Sequence, residues 1–240
     1  MQYLGGKSRI GKKIAAVINP LLVDGAPYYE PFCGACNVAQ YIVAKERRLS
    51  DAQPDLIAMW RALQSGWTPP ETVTEAEYAV AKRGEGAPEL RAFVGFGCSF
   101  GGKWFGGYAR GDGGNYAALA RRSLLKKLAS LSSGSLVCFS ACDYSAVEPA
   151  PGCVVYCDPP YAHKTGYGSV GNFNNAEFWD IVRDWSNRCT VLVSEYSAPQ
   201  DFECVAEFPT KLTMHPSDHN KHVTERLYAK GWNLQTNPQG

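Results

Sequence analysis

Long apolar runs are missing from this chain. None approaches the ~20 residues needed to cross a bilayer as a helix, so a membrane protein is not expected. An excess charge of one sign is missing too. Lys and Arg number 24 against 23 Asp and Glu, a formal net charge of +1. Bulk composition therefore announces no polyanionic partner, although a basic face can be offset by acids elsewhere. The opening "MQYLGGKSRIGKK" has no apolar stretch of the kind a signal peptide carries. The chain has nine cysteines, an odd number. Cys138, Cys153, Cys157 and Cys189 lie in apolar segments and read as small buried hydrophobes. A reducing, cytoplasmic setting is the expectation.

Other absences narrow the chemistry. Cys33 and Cys36 form a CxxC, but there is no second one to complete a zinc site. His215, His219 and His222 stand among Ser, Asp, Asn, Lys and Pro and read as a polar loop rather than a metal centre. No metal is expected. There is no GxGxxG to cradle a pyrophosphate and no phosphate-binding loop of the GxxxxGK[ST] kind.

What is present fits 240 residues of ordinary globular composition, 45% hydrophobic and 20% charged: one α/β domain, or a core with an insertion. Ser8 can cap a helix with Ile10, Ile14, Val17, Ile18, Leu21 and Leu22 at helical spacing. "GAPYYEPF" is a candidate strand, "NVAQYIVAKERR" a helix with Val38, Ala39, Ile42 and Val43 inward, and "RLSD" a strand. "PDLIAMWRALQSGW" is a helix with Leu56, Met59, Trp60 and Leu63 on one face. This alternation predicts a parallel sheet with helices on its faces.

From about residue 68 to 134 the rhythm breaks. "FVGFGCSFGGKWFGGYARGDGGNY" is dense in Gly and aromatics. "ALARRSLLKKLASL" is then helical, with Leu119, Leu124, Leu128 and Leu131 apolar and Arg121, Arg122, Lys126 and Lys127 mostly on its other side. The stretch reads as an inserted module, with 1–67 and 135–240 as the catalytic domain. The alternation resumes with "SLVCFSACD" and "GCVVYCD". A helix "NNAEFWDIVRDWSNR" follows, with Asn174 or Asn175 as its cap, then a strand "CTVLVSEY". "KLTMHPSDHNKHVTERLYAKG" looks like a hairpin flanking the histidine loop.

Four constellations carry chemistry. "YYEPFCGACNVA" is strand, small-residue turn, helix. Gly34 and Ala35 let a ligand approach the turn and the helix N-terminus, and Asp51 ends the next strand, where an acid can hold ribose hydroxyls. A tight turn with no ligand is the plainer alternative. One glycine without GxGxxG favours a nucleoside lacking phosphates over a dinucleotide. "DPPY", residues 158–161, follows a buried strand. Pro159 and Pro160 stiffen the chain past the strand end. The Asp158 carboxylate and a proline carbonyl can accept from an exocyclic amine, while Tyr161 stacks on the base that carries it. The alternative is a strand terminator with a solvated acid. "YLGGKSR" places Lys7 after two glycines, either beside a bound anion or in solvent. In the insertion, Lys103, Arg110 and the helix cations alternate with Trp104, Phe105, Tyr108 and Tyr116. That suits phosphate contacts and base stacking, or a small aromatic core under a solvated basic face.

In order, "QYLGGKSRIGKKI", "EPFCGACNV", "LSDAQPDLI", a variable insertion and "VVYCDPPY" resemble the Dam-type, alpha-class DNA adenine N6-methyltransferases over nearly the whole chain. "GFGCSFGGKWFGGYARG" looks most like phage and prophage members. The resemblance implies a Rossmann-like class I S-adenosylmethionine-dependent methyltransferase sheet with residues 68–134 as its target-recognition module. It implies transfer of a methyl group from S-adenosylmethionine to the N6 amine of an adenine flipped out of duplex DNA, in a bacterial host or phage-infected cell. A restriction-modification role is a further association of the family.

By the same resemblance Tyr3, Lys7, Pro31, Phe32, Gly34, Asp51, Asp143 and Asp158 would meet the cofactor, Lys7 near its methionine carboxylate. Asp158, Pro159, Pro160 and Tyr161 would form the catalytic motif. Arg9, Lys103, Tyr108, Arg110, Arg121, Arg122 and Lys126 are the candidate DNA contacts. Two positions depart from the family pattern: Tyr3 where Trp is frequent, and Cys36 where a second glycine is usual. Weaker cofactor packing is the expected cost. Adenine in RNA, a protein glutamine, or a non-catalytic DNA-binding role stay open as alternatives.

Overall fold

Tyr28 and Tyr29 are consecutive in the first strand, and they end in different cores. The computed structural model describes residues 1–110, 114–160, 173–211 and 222–231. Among these, seven strands form one sheet in the order β3-β2-β1-β4-β5-β7-β6. They are β1 (Tyr28–Glu30), β2 (Glu46–Asp51), β3 (Leu136–Ala141), β4 (Val154–Cys157), β5 (Thr190–Glu195), β6 (Glu203–Lys211) and β7 (His222–Ala229). The first five run parallel, and β7 is antiparallel to both β5 and β6. Side chains alternate across a strand. Tyr28, Val154 and Tyr156 therefore enter one hydrophobic cluster, and Tyr29, Val155 and Cys157 enter the other. Both faces are covered, so the expected α/β architecture with a doubly wound sheet is the one observed.

Helices α1 (Gly11–Ile18), α2 (Pro54–Gln64) and α5 (Tyr116–Leu131) all bury residues in the first cluster. Leu56, Met59, Trp60 and Leu63 of α2 are all buried, as their spacing predicts. On the other face α6 (Asn175–Ser186) buries Phe178, Trp179, Val182 and Trp185, with Asn174 as its cap, accepting from Glu177 N. Between β2 and β3 lie α3 (Glu75–Lys82), α4 (Pro88–Ala92), a wide turn at Phe93–Gly97, and α5. Phe93, Phe96, Ala120 and Leu124 join the same cluster as Ile14 and Trp60.

Several expectations are corrected. Ser8 does not cap α1, whose N-cap is Ile10 without a side-chain hydrogen bond. The helix predicted after the glycine turn is a single 3-10 turn, Ala39–Tyr41, after which Ile42 is extended. Its backbone groups are taken by distant side chains. Asn19 donates to Tyr41 O and accepts from Val43 N, and Arg47 donates to Ala39 O. Leu119 is 53% exposed and Lys127 only 6%, so α5 is turned relative to the expected stripe. Cys138 is exposed on β3, at the sheet edge, and Cys189 is half-buried. The first hairpin arm is β6, which begins at Glu203, well before Lys211. His215, His219 and Tyr161 lie outside the described residues, and His222 begins β7. No described helix is long and apolar enough to cross a membrane.

Candidate active site

The strand order reverses between β1 and β4, and at such a switch point the loops at the strand ends part to leave a crevice. The glycine turn leaves β1 there, and residues 158–160 leave β4. The turn is held from several directions. Gly34 N donates to Asp51 Oδ2 at 2.9 Å, and Gly34 O accepts from Trp60 Nε1 at 3.0 Å. Ala35 O accepts from Lys127 Nζ at 2.6 Å, and Cys36 N donates to Cys33 O at 2.7 Å. Gly34 has φ +47°, a conformation glycine adopts without steric cost. A Cβ there would also stand 2.9 Å from Cε1 of Tyr3, whose ring lies over the turn. Cys36, where a second glycine was noted as usual, also has positive φ, at 52°. That conformation strains a residue with a side chain.

Beside the turn lies a cluster of buried charge. Lys7 Nζ is 2.6 Å from Asp158 Oδ1 and 3.0 Å from Glu225 Oε1. Burial pushes the Lys7 pKa down, but Asp158, Tyr156 and Glu225 more than reverse this and leave it raised. Burial raises Glu225, against the pull of Lys7. Glu30 ends β1 fully inside and accepts from Tyr28 OH at 2.7 Å. Burial is the main cause that pushes its carboxyl up to about 8, with Asp158 adding to it. Asp51 is also raised by burial, although Gln53 N and Gly34 N both donate to it.

One pocket collects these groups apart from Glu225. Its lining includes Tyr3, Lys7, Glu30, Pro31, Phe32, Gly34, Asn37, Asp51, Gln53, Asp143, Tyr144, Asp158, Pro160 and Phe173. All the residues proposed from sequence for the cofactor are therefore together, from five separate segments. Asp143 caps a short turn, accepting from Ser145 N and Oγ. Phe32, Tyr144 and Phe173 form an aromatic wall, with ring centroids 5.3 to 6.1 Å apart. Lys7 points to Asp158 and Glu225, so its charge is already matched by carboxylates. Pro159 is buried. The described residues contain no cluster of three or more metal-ligating side chains.

The insertion's candidates separate into two groups. Lys103, Arg122 and Lys126 are exposed, as is Arg9. Arg110 is exposed and paired with Glu75, and Arg121 is half-buried and paired with Glu71. Tyr108 is not free to stack on a base. Its hydroxyl donates to Val73 O at 2.6 Å, and its ring packs edge-on to Tyr78. Trp104 and Phe105 pack on each other, and Trp104 also on Phe96. These rings build a core, and Phe100 is the large aromatic left outside, 74% exposed.

Sequence reasoning missed Glu30, Asn37, Glu225, Tyr144 and Phe173. For Glu30 the signal was an acid among apolar strand residues. For Glu225 it was alternation, since Leu227 on the same strand face is fully buried.

Residues 3–85 match the family of D12 class N6 adenine-specific DNA methyltransferases. No curated protein matches the chain. Among solved structures it is similar to the rRNA methyltransferase aviRa from Streptomyces viridochromogenes, at 14% identity and TM-score 0.40, over 91% of this chain and 84% of that one. It is similar to the putative methyltransferase yhhF from Escherichia coli, at 12% identity and TM-score 0.41, over 96% and 92%. A putative class I S-adenosylmethionine-dependent methyltransferase from Listeria monocytogenes has 10% identity and TM-score 0.42, over 98% and 62%.

Proposed function

We propose that the chain transfers a methyl group from S-adenosylmethionine to the N6 amine of an adenine flipped out of duplex DNA. The observation that carries this reading is the convergence of the glycine turn, Asp51, Asp143 and Asp158 on one crevice at the switch point of the sheet. The match of residues 3–85 to an adenine-specific family supports the substrate.

The pocket suits the donor. Its lining sets Lys7 against Asp51, Asp143 and Asp158, with Glu30 kept protonated near neutral pH by burial, an excess of acids that favours a cation. Gly34 removes bulk where the donor approaches, and Tyr3 and Pro31 flank it. The wall of Phe32, Tyr144 and Phe173 offers a face to an adenine ring. Asp51 retains lone pairs for ribose hydroxyls after its two backbone bonds, and Asp143 precedes Tyr144 of the wall in the lining. When bound, the sulfonium donor supplies an electrophilic methyl group.

Asp158 and the Pro159 carbonyl would accept from the target amine. That draws the nitrogen toward tetrahedral geometry and localises the lone pair, which would bond to the methyl carbon as the sulfur–carbon bond breaks to leave a thioether, the surplus amine proton passing by way of Asp158 to solvent. Lys7, held between Asp158 and Glu225, fixes the direction of the acid. Pro160 narrows the approach, and Tyr161 would stack on the base. Positioning and electrostatics supply the rate. Residues 68–134 would serve as the target-recognition module, with Arg9, Lys103, Arg122 and Lys126 meeting phosphates. Flipping costs a few kcal/mol of stacking, which these contacts offset.

Expression in cells lacking DNA methylation, followed by sequencing for N6-methyladenine, tests the reading. Modified adenine should appear at a defined site and vanish with Asp158→Ala, while donor binding persists. Methylation that survives Asp158→Ala, or that appears only in RNA or protein, would sink it.

A further inference from the structure

In a doubly wound sheet the helix after the first strand directs its positive N-terminus at the ligand. Here the crossover from β1 to β2 has only the 3-10 turn Ala39–Tyr41. The positive charge behind the glycine turn comes instead from α5. Lys127 Nζ donates to Ala35 O at 2.6 Å and to Asn37 Oδ1 at 2.6 Å. Both acceptors belong to residues that line the pocket. Asn37 in turn abuts the segment that carries Lys7. A Cβ on Gly6 would collide with its amide nitrogen, and one on Gly11 with its carbonyl.

Lys127 is an expensive way to pack a helix. Burying an ammonium costs several kcal/mol unless it is paired and hydrogen-bonded, and among the described residues Lys127 makes no ion pair with a carboxylate, its acceptors being Ala35 O and Asn37 Oδ1. A leucine or methionine would fill the space without that cost. The same helix turns Arg122 and Lys126 outward, so it touches the donor pocket with one face and solvent with the other.

We propose that Lys127 is a positioning residue for the donor: its ammonium locks Ala35 and Asn37 in the donor-binding shape, and loss of its charge loosens the turn. This rests on the donor reading above. The groups that face Lys127 are the Glu30 carboxyl, the Cys36 thiol and the Met1 α-amine. Burial lowers the Lys127 pKa to about 8, with Cys36 and Glu30 pulling the other way. Burial, helped by Lys127, lowers the Met1 amine to about 5. Near neutral pH Lys127 is thus the charged amine of the group, and it discharges within an accessible range.

Calorimetric titration of the full chain with S-adenosylhomocysteine between about pH 6.5 and 9.5 tests this, with thermal melts at each pH. The wild type should bind about tenfold more weakly at the top of the range than at the bottom while staying folded. Lys127→Met should bind about tenfold more weakly at pH 7, with a flat profile, and Glu30→Gln should keep a decline of similar size, moved to lower pH because Glu30 no longer raises the Lys127 pKa. A decline that persists in Lys127→Met, or one that disappears in Glu30→Gln instead, overturns the proposal. So does a flat profile in the folded wild type, which requires no variant to fold. A wild type that binds no S-adenosylhomocysteine at any pH overturns the donor reading itself, and this inference with it.

Discussion

Lys7 Nζ lies 2.6 Å from Asp158 Oδ1 and 3.0 Å from Glu225 Oε1, so one buried ammonium serves two carboxylates. Lys7→Met leaves both acids inside without a counter-charge. A loss of about 3 kcal/mol in urea unfolding is expected, within the range for breaking a buried pair. Adding Glu225→Gln to Lys7→Met should recover part of it. Strict additivity of the two substitutions would contradict the shared ion pair.

Gly34→Ala combines a left-handed backbone with a steric collision. The φ of +47° strains any side chain, and the new Cβ would press on the Tyr3 ring at 2.9 Å. Destabilisation of about 2 kcal/mol is expected, with weaker S-adenosylhomocysteine binding. Adding Tyr3→Ala should relieve the collision but leave the backbone strain, so calorimetry and melting should recover only in part.

The combined contribution of Glu30 and Lys127 to stability should pass through a minimum near pH 8, while the Met1 amine, lowered by burial to about 5, contributes an opposing rise between about pH 5 and 8. Glu30 has an ordinary pKa of 4.5 and a folded value of about 8. Between those values the unfolded chain has lost a proton that the folded one keeps. The contribution of Glu30 is therefore complete below about pH 4.5 and falls as pH rises to about 8. Lys127 has an ordinary value of 10.5 and a folded value of about 8. Between these the unfolded chain binds the extra proton, so stability rises again. The depth should be on the order of a few kcal/mol. Urea titrations of wild type and Glu30→Gln across pH check it: the stability difference between them should fall from about pH 4.5 to 8 and level off above.

The exposed and inward-facing insertion residues should behave differently on DNA. Arg122→Ala and Lys126→Ala should each reduce the slope of log K against log salt by about one phosphate contact. Tyr108→Phe should leave the slope unchanged and cost about 1 kcal/mol of stability, because it removes the hydrogen bond to Val73 O. Filter binding at several salt concentrations distinguishes the two classes. An altered slope in Tyr108→Phe would mean that the ring leaves its packed position to meet DNA.

Much of the site was legible from local signals. Proline pairs end strands, a glycine marks a turn, and an acid follows each strand. Those signals led to Gly34, Asp51 and Asp158, the family resemblance added Asp143, and the fold brings all four to one pocket. The missing crossover helix was not legible, because Asn19 and Arg47 compete for its backbone groups from outside the segment. Lys127 was half legible. Ala120, Leu124, Lys127 and Leu131 form one buried stripe of α5, at helical spacing. The apolar Leu119 drew the predicted stripe one residue away. Glu30 and Glu225 carried only weak local signals, an acid among apolar strand residues and a place in an alternating strand, because the partner that holds Glu225 inside, Lys7, lies far along the chain.

The absent crossover helix also bears on how the protein forms. With no local helix to build it, the glycine turn depends on Asp51, Trp60 and Lys127, which lie 17, 26 and 92 positions along the chain from their partners. Contacts of such separation close slowly, because loop entropy is lost before they form. The sheet strands can pair while the turn is still loose, so the crevice should be among the last parts to mature. A nascent chain that has not yet released α5 from the ribosome would carry the glycine turn without the shape that makes it a pocket.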